Sequence, residues 1–203
     1  MGIGVERVGI KSRLRSAIPI PTIVTWSWAW RAYNRAMPAN IEIKARMQNF
    51  VGLQEQLSAM SGGAPELLLH EDTFFHSPNG RLKLRVPQSG PAQLIHYDRP
   101  DRQGPKRSNY HVFETNDPEN LKTTLSRAFG IRGVVCKERL LYLVGQTRVH
   151  LDSVEGLGHF VELEVVLRPG QSDDEGQVIA RALMARLGIR EEDLLESAYI
   201  DML

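Results

Sequence analysis

The chain has 203 residues, of which 42% are hydrophobic and 24% charged, and its formal net charge is +1. This composition is typical of a globular protein with one domain and a sizeable core. Cys136 is the only cysteine, which excludes an internal disulfide and a cysteine-based zinc site and fits a reducing, cytoplasmic compartment.

Residues 1–36 differ in composition from the rest of the chain. They contain several basic residues but only one acidic residue, Glu6, and they include all three tryptophans. The apolar run 17–30 is shorter than the roughly 20 residues of a bilayer span, so no membrane segment is predicted. We expect a disordered or targeting extension, with mitochondrial import left open, and a folded domain over residues 37–203. That domain carries about −4 charges, which argues against general nucleic-acid binding.

The region after residue 37 is predicted to contain eight or so strands. Strict alternation of apolar and polar residues over 40–47 predicts a strand with one charged face. The Asn79-Gly80 pair is a strong hairpin signal between the second and third strands. The strands are predicted at 40–47, 66–76, 81–86, 92–99, 108–115, 131–144, 147–154 and 159–167, and residues 197–203 are predicted as a terminal strand.

Three helices are predicted from capping residues and apolar spacing. Asn49 is expected to cap a helix at 50–61, and Asp117 one at 118–129 with Pro118 in its first turn. The third begins at residue 173 or 174 and ends at 187. Antiparallel strands in this number favour an α+β fold built on a closed eight-stranded antiparallel β-barrel with flanking helices, because closure leaves no exposed edge strand.

Charged residues recur at alternate positions of several predicted strands. On a single strand such a face is usually the one in contact with water. Like charges that share a cavity need counter-ions. A triphosphate with a divalent metal supplies counter-ions of both signs, because the phosphate oxygens bind Arg and Lys and Mg²⁺ binds carboxylates. The glutamates suited to the metal are Glu42, Glu162 and Glu164.

Arg81 and four histidines are not assigned to the predicted metal and triphosphate site. Arg81 lies just before the alternating pattern of its strand and is expected to be an exposed turn residue. Four scattered histidines are interpreted as solvated or packed side chains: His76, His111, His150 and His159.

Five segments resemble the CYTH family, which includes CyaB-type class IV adenylyl cyclases, thiamine triphosphatases and inorganic triphosphatases. They are NIEIK, DTFFHSPNGRLKLR, LIHYDRPD with a following Ser-x-Tyr, KERLLY, and TRVHLDSVEGLGHFVELE. The resemblance covers residues 37–203. It implies an eight-stranded triphosphate tunnel whose acidic residues bind Mg²⁺ or Mn²⁺ and whose basic residues bind phosphate.

The resemblance also assigns roles to individual residues. It implies metal binding by Glu42, Glu162 and Glu164, and a catalytic role for Asp152, as a further ligand or water-orienting group, and for Lys44. Phosphate binding is implied for Lys44, Lys83, Arg85, Arg99, Lys137, Arg139 and Arg148. The family's opening signature has two alternating glutamates, and Asn40 replaces the first of them, which leaves open whether one metal or two are bound.

The sequence therefore predicts a metal-dependent enzyme acting on a triphosphate, with class IV adenylyl cyclase activity as the leading expectation. The alternative is a triphosphatase that hydrolyses tripolyphosphate, thiamine triphosphate or a nucleoside triphosphate. A non-catalytic binder of nucleotides or polyphosphate is a further alternative. Family resemblance makes a homodimer reasonable, and the partner is a small molecule rather than nucleic acid or membrane.

Overall fold

The computed structural model describes residues 39–47 and 49–203. The expected extension at 1–36 and its boundary with the folded domain lie outside these residues. The strands are β1 (Ala39–Arg46), β2 (Glu66–Phe75), β3 (Arg81–Pro87), β4 (Ala92–Asp98), β5 (Lys106–Thr115), β6 (Ile131–Val144), β7 (Thr147–Val154) and β8 (Gly158–Val166). The helices are α1 (Phe50–Ser61), α2 (Pro118–Phe129) and α3 (Asp173–Leu187), followed by two 3₁₀ helices, Glu191–Asp193 and Tyr199–Asp201.

The eight strands form one closed barrel. Each pairs antiparallel with two neighbours in the order β1-β5-β4-β3-β2-β6-β7-β8, and β8 returns to β1. The predicted fold class is therefore confirmed. Because neighbours run in opposite directions, one end of the barrel collects the carboxyl ends of β1, β4, β2 and β7 and the amino ends of the other four strands.

The largest apolar core lies between the barrel wall and the helices outside it. Ile41 and Ile43 of β1 are almost fully buried there with Leu57 of α1 and Leu183 of α3. Helix α3 approaches β1 so closely that a Cβ on Gly176 would lie 2.5 Å from the Ile41 side chain. Since alternate residues of a strand face opposite sides, burying the apolar face of β1 outside directs its polar face into the barrel.

Capping residues set the helix ends. Asn49 accepts a hydrogen bond from the Gly52 backbone N–H, as expected for the cap of α1. Helix α3 is capped by Ser172 rather than by an aspartate, because Ser172 and Glu175 form a reciprocal capping box. Among the helices of the described chain, none has the length and apolar character needed to cross a bilayer.

The prediction of a terminal strand was wrong. Residues Tyr199–Asp201 form a 3₁₀ turn, since the Asp201 carboxylate accepts a hydrogen bond from the Ala198 backbone N–H. Ahead of this turn, the Leu195 N–H donates to the Lys44 carbonyl at 2.8 Å, which ties the C-terminal segment (residues 194–203) to the end of β1. This segment also contacts the start of β8 through Tyr199 and Phe160, so it crosses the barrel end defined above.

Candidate active site

The barrel interior contains a cavity of about 340 Å³, which we call the tunnel. Its lining is unusually rich in charge for a protein interior. Seven lining residues are basic: Lys44, Lys83, Arg85, Arg99, Lys137, Arg139 and Arg148. Four are carboxylates: Glu42, Asp72, Glu162 and Glu164. The excess of positive charge favours a polyanionic ligand, because buried charges need compensation.

Ten of the predicted site residues are thus brought together in the tunnel, and Asp152 is not among its lining residues. Nine of them lie in β1, β3, β6, β7 and β8, as the alternation of charged and apolar positions predicts, and Arg99 directly follows β4. Register places Glu42 opposite Glu164 and Lys44 opposite Glu162 on neighbouring strands β1 and β8. Direct neighbours across an antiparallel pair have side chains within contact range.

Sequence reasoning missed Asp72, which organises the basic residues on one side of the tunnel. Its carboxylate accepts bonds from Arg85 at 2.8 and 2.9 Å and from Lys83 at 2.8 Å, and Lys137 lies 3.9 Å away. Burial alone would raise the pKa of Asp72, but Arg85 and Lys83 hold that pKa well below its usual range. The alternation of His70, Asp72 and Phe74 along β2 was a signal that could have found it.

Asp152 lies behind the lining and holds Arg139 in place. Arg139 donates to both Asp152 oxygens, at 2.6 and 2.7 Å, and its Nη2 also reaches Glu162 Oε2 at 2.7 Å. The Tyr199 hydroxyl donates to Asp152 at 3.0 Å, and Lys137 lies 3.5 Å away. With its carboxylate fully engaged, Asp152 is placed to orient Arg139 rather than to contact a ligand.

Among the residues that the structure describes, Glu42 has one close cationic partner, Arg99, whose Nη1 donates to its carboxylate. Burial and the neighbouring charge of Glu162 raise the pKa of Glu42, although Arg99 acts in the opposite direction. Glu162 differs, because Lys44 Nζ lies 3.1 Å from its Oε1 and Arg139 binds its other oxygen. Despite burial, these contacts keep the pKa of Glu162 well below its usual value.

The donor set near β7 and β8 fits a divalent cation. Glu162, Glu164 and His150 each place a ligand atom within 4.8 Å of the other two. His150 Nδ1 and Asn40 Oδ1 are buried and have no hydrogen-bond partner in the described part of the chain. Carboxylates, an amide oxygen and an imidazole are the groups that bind such ions in proteins. Sequence reasoning missed His150, since a single histidine among scattered ones carries no spacing signal.

Tyr199 and Lys106 connect the C-terminal segment to the tunnel. Tyr199 lines the cavity, and the Lys44 ammonium lies 3.7 Å from the centre of its ring. Lys106 is fully buried and donates to the carbonyls of Arg102, Leu195 and Glu196. Strand β5 begins at Lys106, two residues before the predicted start, because Lys106 and Arg107 pair with Glu42 and Ile41 of β1.

The expectation for Arg81 was wrong. It is the first residue of β3, and its side chain is only 13% exposed because Nη2 binds Asp101 at 2.6 Å and Asp201 at 2.7 Å. Asp201 also binds Arg132 at 2.5 Å. Arg81 therefore fastens the C-terminal segment to the start of β3, at the barrel end that this segment crosses.

Comparisons with known proteins agree with this geometry. The CYTH domain family model matches residues 38–199. The adenylate cyclase CyaB of Aeromonas hydrophila is 26% identical over 176 residues, which cover 78% of this chain and 85% of that protein. The PH1012 protein of Pyrococcus horikoshii is 28% identical with a TM-score of 0.72, covering 81% of this chain and 99% of that one.

A more distant structure supports the fold. HpAC1 of Hippeastrum, described as having a dominant triphosphatase activity, is 18% identical with a TM-score of 0.56 and covers 78% of this chain and 91% of its own. CYTH proteins are adenylyl cyclases or triphosphatases that act on triphosphates and in general depend on a metal. With a family match over residues 38–199 and a charged tunnel inside an eight-stranded barrel, this chain belongs to the CYTH family.

Proposed function

We propose that the protein is a metal-dependent enzyme that binds an organic triphosphate in the tunnel and acts as a class IV adenylyl cyclase. The observation that carries this proposal is the convergence of seven basic and four acidic residues on one cavity inside the barrel. In the cyclase reaction the ribose 3′-hydroxyl of ATP loses its proton and forms a bond to the α-phosphorus. The bond between that phosphorus and the β-phosphate oxygen breaks, and pyrophosphate leaves.

The basic residues would position the phosphates. Arginine's planar fork binds two phosphate oxygens at once, and lysine adds a compact charge. Without ligand, Lys83 and Arg85 are held by Asp72, and Arg148 by Glu164 at 2.8 Å. A triphosphate would replace the carboxylates as the partner of these cations. A divalent ion bound to the freed carboxylates would neutralise the charge that develops on the phosphate oxygens.

Three apolar residues at one end of the tunnel offer a surface for the organic group of an organic triphosphate. Leu68 near the start of β2, Val112 near the end of β5 and Leu141 near the end of β6 all lie toward the end opposite the C-terminal segment. Gln93 and Tyr110 line the cavity with them. Phosphates deep in the tunnel would leave a nucleoside or another organic group against these side chains.

Hydrolysis of the terminal phosphate is the alternative reaction, since it requires the same cations and carboxylates and only replaces the ribose hydroxyl by water. Which reaction occurs depends on which phosphorus faces the nucleophile. The test is to offer ATP, thiamine triphosphate and tripolyphosphate separately with Mg²⁺ or Mn²⁺ and to measure cyclic AMP, pyrophosphate and phosphate. Cyclic AMP with equimolar pyrophosphate supports the cyclase, phosphate alone supports the hydrolase, and no metal-dependent product rejects both.

Lys83→Ala and Arg85→Ala are each expected to weaken triphosphate binding about 10- to 100-fold, because each removes a charge-assisted contact of about 1.5–3 kcal/mol. The KM should rise more than kcat falls. Steady-state kinetics checks this, with Arg127→Ala on the exposed face of α2 as the control. An unchanged KM in both variants would remove these residues from the binding site.

Lys137 makes binding depend on pH. Burial and the neighbouring Arg139 lower the pKa of Lys137 to about 7, and burial with Arg85 lowers that of Lys83 to about 8. A bound anion favours the charged ammonium and raises both pKa values. Affinity should therefore be highest below pH 7 and fall by up to about tenfold per pH unit for each lysine as the pH rises through 7 and 8.

The measurement is the dissociation constant of a non-hydrolysable ATP analogue between pH 6 and 9, together with proton uptake on binding. Lys137→Arg keeps its charge over this range, so the part of the pH dependence that begins near 7 should disappear. A pH profile identical to that of the unaltered protein would contradict the assignment.

A further inference from the structure

His150 lines the tunnel but has no role in the proposed reaction. It lies on the interior face of β7, directly opposite Glu162 of β8, and is 4% exposed. Its Nδ1 is 3.6 Å from Glu162 Oε2 and 3.8 Å from Glu164 Oε1. Both separations exceed a normal hydrogen bond, and this nitrogen has no hydrogen-bond partner among the described residues.

The spacing suits a shared cation better than a direct contact. Adjacent ligand atoms around an octahedral ion with bonds of about 2.1 Å lie ~3 Å apart, so these three atoms need to close by less than ~2 Å. In the neutral imidazole with its proton on Nε2, Nδ1 carries a lone pair, and this is the nitrogen that lies nearest the two glutamates. A buried imidazole nitrogen without a partner would otherwise be a cost to the fold.

We propose that His150 binds the metal through Nδ1 together with Glu162 and Glu164, and that this nitrogen makes the site prefer Mn²⁺ to Mg²⁺. The preference follows from ligand type, because imidazole suits transition metals whereas Mg²⁺ favours oxygen ligands and retained waters. The inference rests on the proposed function only in taking the tunnel as the metal-binding site. It distinguishes this chain's site from one built of glutamates alone.

The surrounding charges are consistent with this ligand set. Glu162 is shared with Lys44 and Arg139, and Glu164 with Arg148. A divalent ion on the two glutamates would free Lys44 and Arg148 for phosphate, while Arg139 stays held by Asp152. Metal and triphosphate would therefore support each other's binding. His150 adds no negative charge, and the lining keeps its positive excess.

The experiment is a titration of the purified protein with Mn²⁺ alone, followed by electron paramagnetic resonance, with Mg²⁺ as competitor. We expect His150→Ala to weaken Mn²⁺ binding at least about tenfold while changing the competing Mg²⁺ affinity less than about threefold. His111→Ala, an exposed histidine on β5, is the matched control and should change neither. Equal losses of Mn²⁺ and Mg²⁺ affinity, or no loss of either, would overturn the proposal.

A second measurement on the unaltered protein does not depend on the variant's folding. Electron spin echo modulation of bound Mn²⁺ detects a directly coordinated nitrogen, and we expect this modulation in the unaltered protein and its disappearance in His150→Gln. Absence of nitrogen modulation would overturn the assignment. Neither readout requires triphosphate, so loss of turnover with retained nitrogen coordination would reject the proposed function and leave the metal site supported.

Discussion

Glu162→Gln is expected to reduce turnover of the triphosphate about a thousandfold, equal to about 4 kcal/mol of transition-state stabilisation. Glu162 binds Lys44 and Arg139 and lies beside His150, so removing its charge affects both the cation site and the arrangement of the phosphate-binding residues. The isosteric amide keeps the volume of the side chain. The effect should therefore appear mainly in kcat, with a smaller loss of thermal stability because Lys44 and Arg139 lose a charged partner.

The rate is measured with saturating Mn²⁺ and Mg²⁺ in turn, alongside a thermal melt of each variant. Glu138→Gln is the matched control, since Glu138 is an exposed carboxylate on β6 outside the set that lines the tunnel. Its kcat should stay within about twofold of the unaltered value. If Glu162→Gln retained full turnover, Glu162 could not hold the metal.

Arg139→Met is expected to lower the free energy of unfolding by about 3–5 kcal/mol, because it leaves the buried carboxylate of Asp152 without its main partner and removes one of the two cations that bind Glu162. Asp152 is completely buried and receives two hydrogen bonds from this guanidinium. The melting temperature should fall on the order of 10 °C for a domain of this size. Urea unfolding and calorimetry provide the measurement.

Neutralising Asp152, the buried carboxylate that loses its cation, tests the physical reason for that loss. In the double variant Arg139→Met with Asp152→Asn, part of the stability should return, since the buried negative charge is removed. Arg181→Met is the surface control, because Arg181 is 56% exposed and its ion pair with Glu191 contributes little. A loss below about 1 kcal/mol for Arg139→Met would contradict a structural role for the Arg139 and Asp152 pair.

The barrel and most of its charged lining could be predicted because they depend on local alternation. In β1, Ile41 and Ile43 are buried on the outer face of the barrel. Because alternate residues of a strand face opposite sides, Glu42 and Lys44 face the interior. The same pattern in β3 placed Lys83 and Arg85 on the face that lines the tunnel. Family resemblance then connected these separate faces before any strand pairing was known.

The features that were missed depend on contacts between distant residues. Asp72 has meaning only once β2 pairs with β3 and meets Lys83 and Arg85. Tyr199 reaches the tunnel because the C-terminal segment turns at Asp201 and crosses the barrel end, which its apolar alternation did not indicate. His150 becomes a candidate ligand only when its strand is set beside the two glutamates of β8.

The most direct test is calorimetric titration of the protein with a non-hydrolysable ATP analogue in the presence of Mn²⁺. If cations and carboxylates of the tunnel jointly hold a metal and a triphosphate, one analogue should bind per chain. Its affinity should fall at least tenfold either on chelating the metal or in Arg85→Ala. Binding of equal strength in all three conditions would place the ligand elsewhere and contradict the assignment of the tunnel.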